Sequence, residues 1–176
     1  MSERRAAEIA LSKLKDGDRE ALAVIYNCYG RIIFSVALGI TENYTDAEDV
    51  LQETMIETVK NTHSYKEGTN PKAWVLAMAR HSAIDLVRRR KNHLSLEDSA
   101  VESLESEETL GSLAPEIMDL LKKLDEDERQ IIILRIYAEL PFKDVAKAMD
   151  ISVFAAQKRY QRALKKLKSI SGGDFG

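Results

Sequence analysis

The chain has 176 residues, 44% of them hydrophobic, enough to bury one medium core or two small ones. Its 26 basic and 29 acidic residues give a net charge of -3, so the whole-chain balance does not point to a nucleic-acid partner until it is divided by segment. The single cysteine, Cys28, excludes an internal disulfide, and His63, His81 and His93 stand apart without cysteine partners, so neither a metal site nor a cofactor is expected.

Strand signals are scarce and apolar residues recur at i, i+3, i+4 and i+7, which predicts an all-α chain. A first helix over 3–15 stops at Asp16-Gly17-Asp18, where Gly17 can take positive φ and Asp18 can cap the next helix. A second, over 19–40, carries the stripe Leu22, Ile25, Tyr26, Tyr29, Ile33, Phe34 and Ala37, and Cys28 lies among these apolar residues as a packing side chain. Thr45 and Glu48 form the pattern of a capping box for a third helix, 46–60. There Ala47, Val50, Leu51, Thr54, Met55 and Thr58 face inward, leaving Asp49, Gln52, Glu53 and Glu57 exposed. After a polar loop at 63–70, Pro71 opens a fourth helix with Trp74, Met78, Ala79 and Ile84 inward and the run Arg88 to Lys91 at its end.

The next stretch is rich in Ser and Glu, has no aromatic and no amphipathic pattern, and is expected to be a flexible acidic linker, 93–113, between domains at 1–92 and 114–171. In the second domain Ile117, Leu120, Leu121 and Leu124 share one face of a short helix. Asp125 and Glu128 make another capping box before 129–138, with Ile132, Ile133, Ile136 and Tyr137 apolar. Pro141 suits a first helical turn, and Phe142, Val145, Ala146 and Met149 predict a short support helix. Asp150 can take the left-handed turn, and Ser152 can cap a last helix with Ala156, Tyr160, Ala163, Leu164 and Leu167 inward. Gln157, Lys158, Gln161, Arg162, Lys165 and Lys168 then point elsewhere, as in a helix-turn-helix. With no run of 18 apolar residues and an amphipathic start instead of a signal core, membrane insertion is not expected and a cytoplasmic location is.

Charge alternates in blocks. Residues 42–57 hold six acids and no base, 80–91 five bases and one acid, 93–112 six acids and no Lys or Arg, and 141–168 eight bases and two acids. Two basic faces suit a polyanion, and one acidic face suits a basic partner. No Gly-rich phosphate loop, nucleophile elbow or metal-ligand pair occurs, so an enzyme is not expected.

Four segments in this order carry a resemblance: Asp46 to Thr54 (DAEDVLQET), Pro71 to Arg88 with Trp74, Ala79-Arg80 and Asp85, Leu124 to Tyr137, and Phe142 to Ala163. Together they resemble bacterial extracytoplasmic-function (ECF) sigma factors of the sigma-70 family, over nearly the whole chain. The resemblance implies region 2 and region 4 domains and a transcription initiation subunit that recognises minus-10 and minus-35 elements. Its implied partners are core RNA polymerase (the beta-prime clamp and the beta flap), promoter DNA and an anti-sigma factor.

On the matching positions, the polymerase-binding residues implied are Asp46, Glu48, Asp49, Gln52 and Glu53. For minus-10 DNA they are Lys66, Asn70, Arg80, His81, Arg88, Arg89 and Arg90, with the loop at 63–70 receiving an extruded base. For minus-35 DNA they are Ser152, Gln157, Lys158, Gln161 and Arg162. His81 stands where the family usually has Asn, and Phe154-Ala155-Ala156-Gln157 replaces the usual Gly-Thr-Val-Lys, so Gln157 is expected to favour adenine where a Lys would favour guanine. The alternative reading is a stand-alone helix-turn-helix regulator, which explains the last helices but leaves the acidic third helix without a reason; a protein-only adaptor would make both basic faces incidental.

Overall fold

The computed structural model describes residues 1–94 and 114–172, so most of the expected linker lies outside the described residues. The described residues are all-α, without a strand. The α-helices are α1 (Glu3–Lys15), α2 (Leu22–Thr41), α3 (Tyr44–Lys60), α4 (Pro71–Leu94), α5 (Pro115–Leu121), α6 (Glu126–Ile132), α7 (Phe142–Met149) and α8 (Val153–Ile170).

Capping chemistry sets most boundaries. Ser2 Oγ accepts from Arg5 N at the start of α1, and Gly17 takes φ 93° in the turn that follows. The expected helix 19–40 is divided, because the Asp18 carboxylate accepts from Glu20 N and nucleates a 3-10 turn, Arg19–Ala21, ahead of α2. Helix α3 begins earlier than expected: Asn43, not Thr45, is the cap, its Oδ1 accepting from Asp46 N at 3.0 Å, so Thr45 lies inside the helix and no box forms with Glu48.

Helix α2 is the central rod, packed by α1, α3, α4 and α6. Every residue from Ile33 to Ile40 is buried, whereas Tyr26, expected inward, is 40% exposed. Among the described residues, Arg19–Thr41 alone has the length and apolarity of a membrane span; here its apolar side chains form the core between helices. In α4 the innermost side chains are Val75, Leu76, Ala79 and Ala83, while the expected Trp74, Met78 and Ile84 are half-buried.

In the second half Met118, Leu121 and Leu124 turn inward and Ile117 outward, the opposite of its expected place. The Asp125–Glu128 capping box forms as expected. Helix α6 then widens into a π-helical turn, Ile133–Tyr137, in which Ile133 and Leu134 are buried and Ile136 and Tyr137 are exposed. Pro141 is the N-cap residue of α7 instead of its first helical residue. Asp150 takes the left-handed conformation (φ 55°) and Ser152 Oγ accepts from Ala155 N at 3.0 Å, so the turn and the start of α8 fall where expected.

The two helical domains dock on each other, α2 against α6 and its π-turn, α4 against α7. The crossing is close at Gly39, where an added Cβ would collide with Ile133 Cδ1 and force that buried side chain to shift. Beside it Arg129, 7% exposed, donates to Gly39 O (2.8 Å), Leu121 O (3.1 Å) and Leu124 O (3.1 Å), and stands 3.4 Å from the Glu42 carboxylate. One guanidinium thus satisfies carbonyls near the C-terminal ends of α2 and α5, where helix dipoles favour a cation.

Candidate functional site

The exposed acidic face of α3 follows from helical spacing: Glu48, Asp49, Gln52 and Glu53 are all exposed, over a buried stripe of Ala47, Val50, Leu51 and Thr54. Thr54 and Thr58 lie inside because each hydroxyl donates to a carbonyl one turn back, at 2.7 Å. Asp46 does not join this face. It is 3% exposed and forms an ion pair with Arg90 of α4, although its buried Oδ1 has no aligned hydrogen-bond donor.

Burial raises the Asp46 carboxyl above its ordinary value of 3.8 and Arg90 opposes that rise, while Asp49 adds to it. A carboxyl whose pKa is raised by folding stabilises the fold while protonated. This contribution is complete below about pH 3.8, the unfolded value, and is lost as pH rises through the raised folded value. Asp46→Asn is therefore expected to flatten that part of the pH–stability profile. At pH 7 it should change stability by less than about 1 kcal/mol, because the lost ion pair and the removed desolvation cost oppose each other. Urea unfolding across pH 3–7 checks this, and a loss above about 3 kcal/mol at pH 7 would show that the charged pair is strongly stabilising.

The cations expected to hold minus-10 DNA do not share one surface. Between α3 and α4 runs an open groove of about 660 Å³, lined by Asp49, Glu53 and Glu57 on one side and His81, Arg88 and Arg89 on the other. Ser82 Oγ donates to Glu57 Oε1 at 3.3 Å across it, and Arg89 sits 3.5 Å from Asp85. Arg80, one position before His81, turns to the domain junction. Its Nε donates to the buried Gln130 side chain and its Nη1 to Ala148 O at 3.4 Å. Burial lowers the Arg80 pKa, opposed by Asp127 and Glu126.

The loop at 65–70 is held from three sides. Tyr65 is buried edge-on against Trp74, ring centroids 5.4 Å apart, and its hydroxyl donates to Thr69 O at 2.9 Å. From α1, Arg4 Nη2 donates to Gly68 O (3.2 Å) and Thr69 O (3.3 Å), and Lys15 Nζ to Tyr65 O (3.0 Å). From the second domain, Asp144 Oδ2 accepts from Asn70 Nδ2 at 3.1 Å, while Asn70 Oδ1 caps α4 by accepting from Lys72 N at 3.1 Å. Lys66 is exposed beside a cavity of about 170 Å³ that Trp74, Asp144 and Lys147 also line.

Helix α8 carries its expected residues together. Ser152, Gln157, Lys158, Gln161 and Arg162 are exposed, and Ala156, Ala163 and Leu167 are buried where α8 packs on α6 and α7. Two further cations are engaged within the domain: Arg159 lies 3.3 Å from Asp127 and Lys166 3.2 Å from Glu128. Sequence reasoning missed Arg129, Gln130 and Asn43, which act through partners or caps; Phe154, noted there only as a departure from the family pattern, is an exposed ring on α8. Only Asn43 had a local signal, as a cap-forming residue just ahead of the helix. Among the described residues no group of three side chains could hold a metal ion.

Comparison with known proteins gives this arrangement a family. The sigma-70 region 2 model matches residues 25–93 and the sigma-70 region 4 model residues 115–167. The chain is 25% identical to RNA polymerase sigma factor CarQ of Myxococcus xanthus, over 92% of this chain and 95% of that one. It is 27% identical to the ECF RNA polymerase sigma factor SigM of Bacillus subtilis (strain 168), over 83% and 92%. Its fold superposes on the sigma factor RpoE of Bartonella quintana, solved with the anti-sigma factor NepR, with a TM-score of 0.74 at 24% identity, covering 91% of this chain and 99% of that one. With both regions matched in order and their helices packed as described, the chain belongs to the sigma-70 family, as an ECF sigma factor that directs promoter-specific transcription.

Proposed function

We propose that the chain divides this work between its halves: the α3 face docks on the beta-prime clamp of core RNA polymerase, the loop at 65–70 and α4 engage the minus-10 element, and α8 reads the minus-35 element. The observation that carries this is the coexistence, on separate helices, of an exposed acidic row (Glu48, Asp49, Gln52, Glu53) and an exposed basic and amide row (Gln157, Lys158, Gln161, Arg162). Opposite charge steers the first to a basic protein surface and the second to phosphates and base edges. Asp46 stands outside the clamp-facing row as the inner partner of Arg90, which supports the helix from within.

In the docked arrangement α8 is exposed, whereas Arg80 and Asn70 are occupied by Gln130, Ala148 and Asp144 of the other half. Minus-10 contacts by these two residues require the junction to open, so the closed chain corresponds to a state awaiting polymerase. An anti-sigma factor, the kind of partner bound to the RpoE of Bartonella quintana, would act on the same equilibrium. The region 4 half meets the beta flap in this reading, the protein acts in the cytoplasm beside the polymerase, and it performs no catalysis of its own.

Run-off transcription with core polymerase on a randomised promoter library tests the division directly. Enrichment of two separate elements upstream of the start is expected. A chain that binds duplex DNA without core enzyme and selects one element only would favour the stand-alone regulator instead.

A further inference from the structure

Phe154 has no task in the division of labour above. It lies in the first turn of α8, two residues after the Ser152 cap, and is 68% exposed; among the described residues only Met1, at the chain end, is a more exposed large apolar side chain. It takes no part in the core: α8 is anchored there by the buried Ala156, Ala163 and Leu167, with Tyr160 and Leu164 packed beside them. Its surroundings are polar and cationic. Helical spacing puts Gln157 and Lys158 on the same face, three and four residues on, and Lys158 Nζ stands 5.4 Å from the ring centroid. This setting complements a polyanion better than an apolar protein surface.

A recognition helix enters the major groove with its N-terminal residues against the base edges. The apolar group presented there is the 5-methyl of thymine, and phenylalanine is among the side chains that contact it. We propose that Phe154 reads a thymine 5-methyl in the minus-35 half of the promoter, beside the base that faces Gln157. Lys158 braces the ring while its ammonium reaches toward the backbone. The inference rests on α8 entering the groove, as proposed above, and adds the chemical feature it selects.

The test uses holoenzyme assembled from the full chain and core polymerase, on a duplex promoter taken from the run-off selection. Each thymine of the minus-35 half is replaced singly by deoxyuridine, which keeps every hydrogen-bonding edge and removes only the methyl. At one position wild type should lose about fourfold in affinity, the worth of one buried methyl group. Phe154→Ala, at an exposed site, should bind the thymine and uracil duplexes equally, near the wild-type value for uracil. If no thymine is sensitive in wild type, or if Phe154→Ala keeps the same ratio, the proposal is overturned. It is also overturned if Phe154→Ala weakens holoenzyme assembly in the absence of DNA, since the ring would then be a protein contact. Failure of wild-type holoenzyme to protect the minus-35 half from cleavage would remove the underlying reading, and it is seen before any uracil is introduced.

Discussion

Arg129→Met should cost the protein about 3 kcal/mol of stability, the largest loss expected from any single side chain at the domain junction. Methionine matches the length of the side chain but offers no donor to Gly39 O, Leu121 O and Leu124 O, which share the 7% exposed guanidinium. Two of these carbonyls lie near the C-terminal end of α5, a seven-residue helix too short to hold without tertiary contacts. A domain as small as α5–α8 has only about 3–5 kcal/mol to lose, so the second half should unfold at much lower urea than α1–α4. Arg129→Lys should recover only part of the loss, because a single ammonium cannot reproduce a planar fork that meets three carbonyls in different directions. Urea unfolding followed by circular dichroism, with Trp74 fluorescence reporting the first half, separates the two transitions. A change below about 0.5 kcal/mol in the methionine variant would mean that water, not Arg129, satisfies those carbonyls.

Asp49→Lys should weaken association with core polymerase by about 3 kcal/mol, on the order of a hundredfold, while leaving the fold intact. Asp49 is exposed on α3 and holds no structural hydrogen bond or ion pair among the described residues, so its exchange costs the domain little. Against a basic clamp the substitution replaces attraction by repulsion at the centre of the proposed row. It also places a third cation across the groove from Arg88 and Arg89, adding like-charge repulsion there. Titration of labelled chain with core enzyme at two salt concentrations measures the effect, and the wild-type affinity should fall with salt while the variant changes less. Unaltered affinity would move the docking surface off α3.

Local chemistry was legible in the sequence and distant pairing was not. Ser152 and Asp150 fixed the α7–α8 turn, and Asp125 with Glu128 fixed the start of α6, because a cap involves residues only two or three apart. Thr45 was a plausible cap by the same rule, but Asn43, two residues earlier, bonds Asp46 N and starts the helix sooner. The outward faces of α3 and α8 followed from helical period alone. For Ile132, Ile133, Ile136 and Tyr137 the sequence showed apolar character without a facing, and in the structure the first two are buried while the last two, within the π-turn, are exposed. Asp46 and Arg90 looked like two exposed charges; their pairing joins residues on different helices, and no spacing rule announces it. The same holds for Arg80 with Gln130 and for Gly39 with Ile133, which only the docking of the halves brings together. The candidate site was thus legible as two helix faces, while the engagement of Arg80 and Asn70, proposed for the minus-10 element, by the other half was not.

Asn70 divides its amide between two masters: the oxygen begins α4 and the nitrogen holds Asp144 of the opposite half. Exchanging that one nitrogen for oxygen, as aspartate does, would keep the helix start and set two carboxylates face to face. The Asn70–Asp144 clasp, one of several contacts between the halves, is therefore separable, at a single atom, from whether α4 is correctly begun.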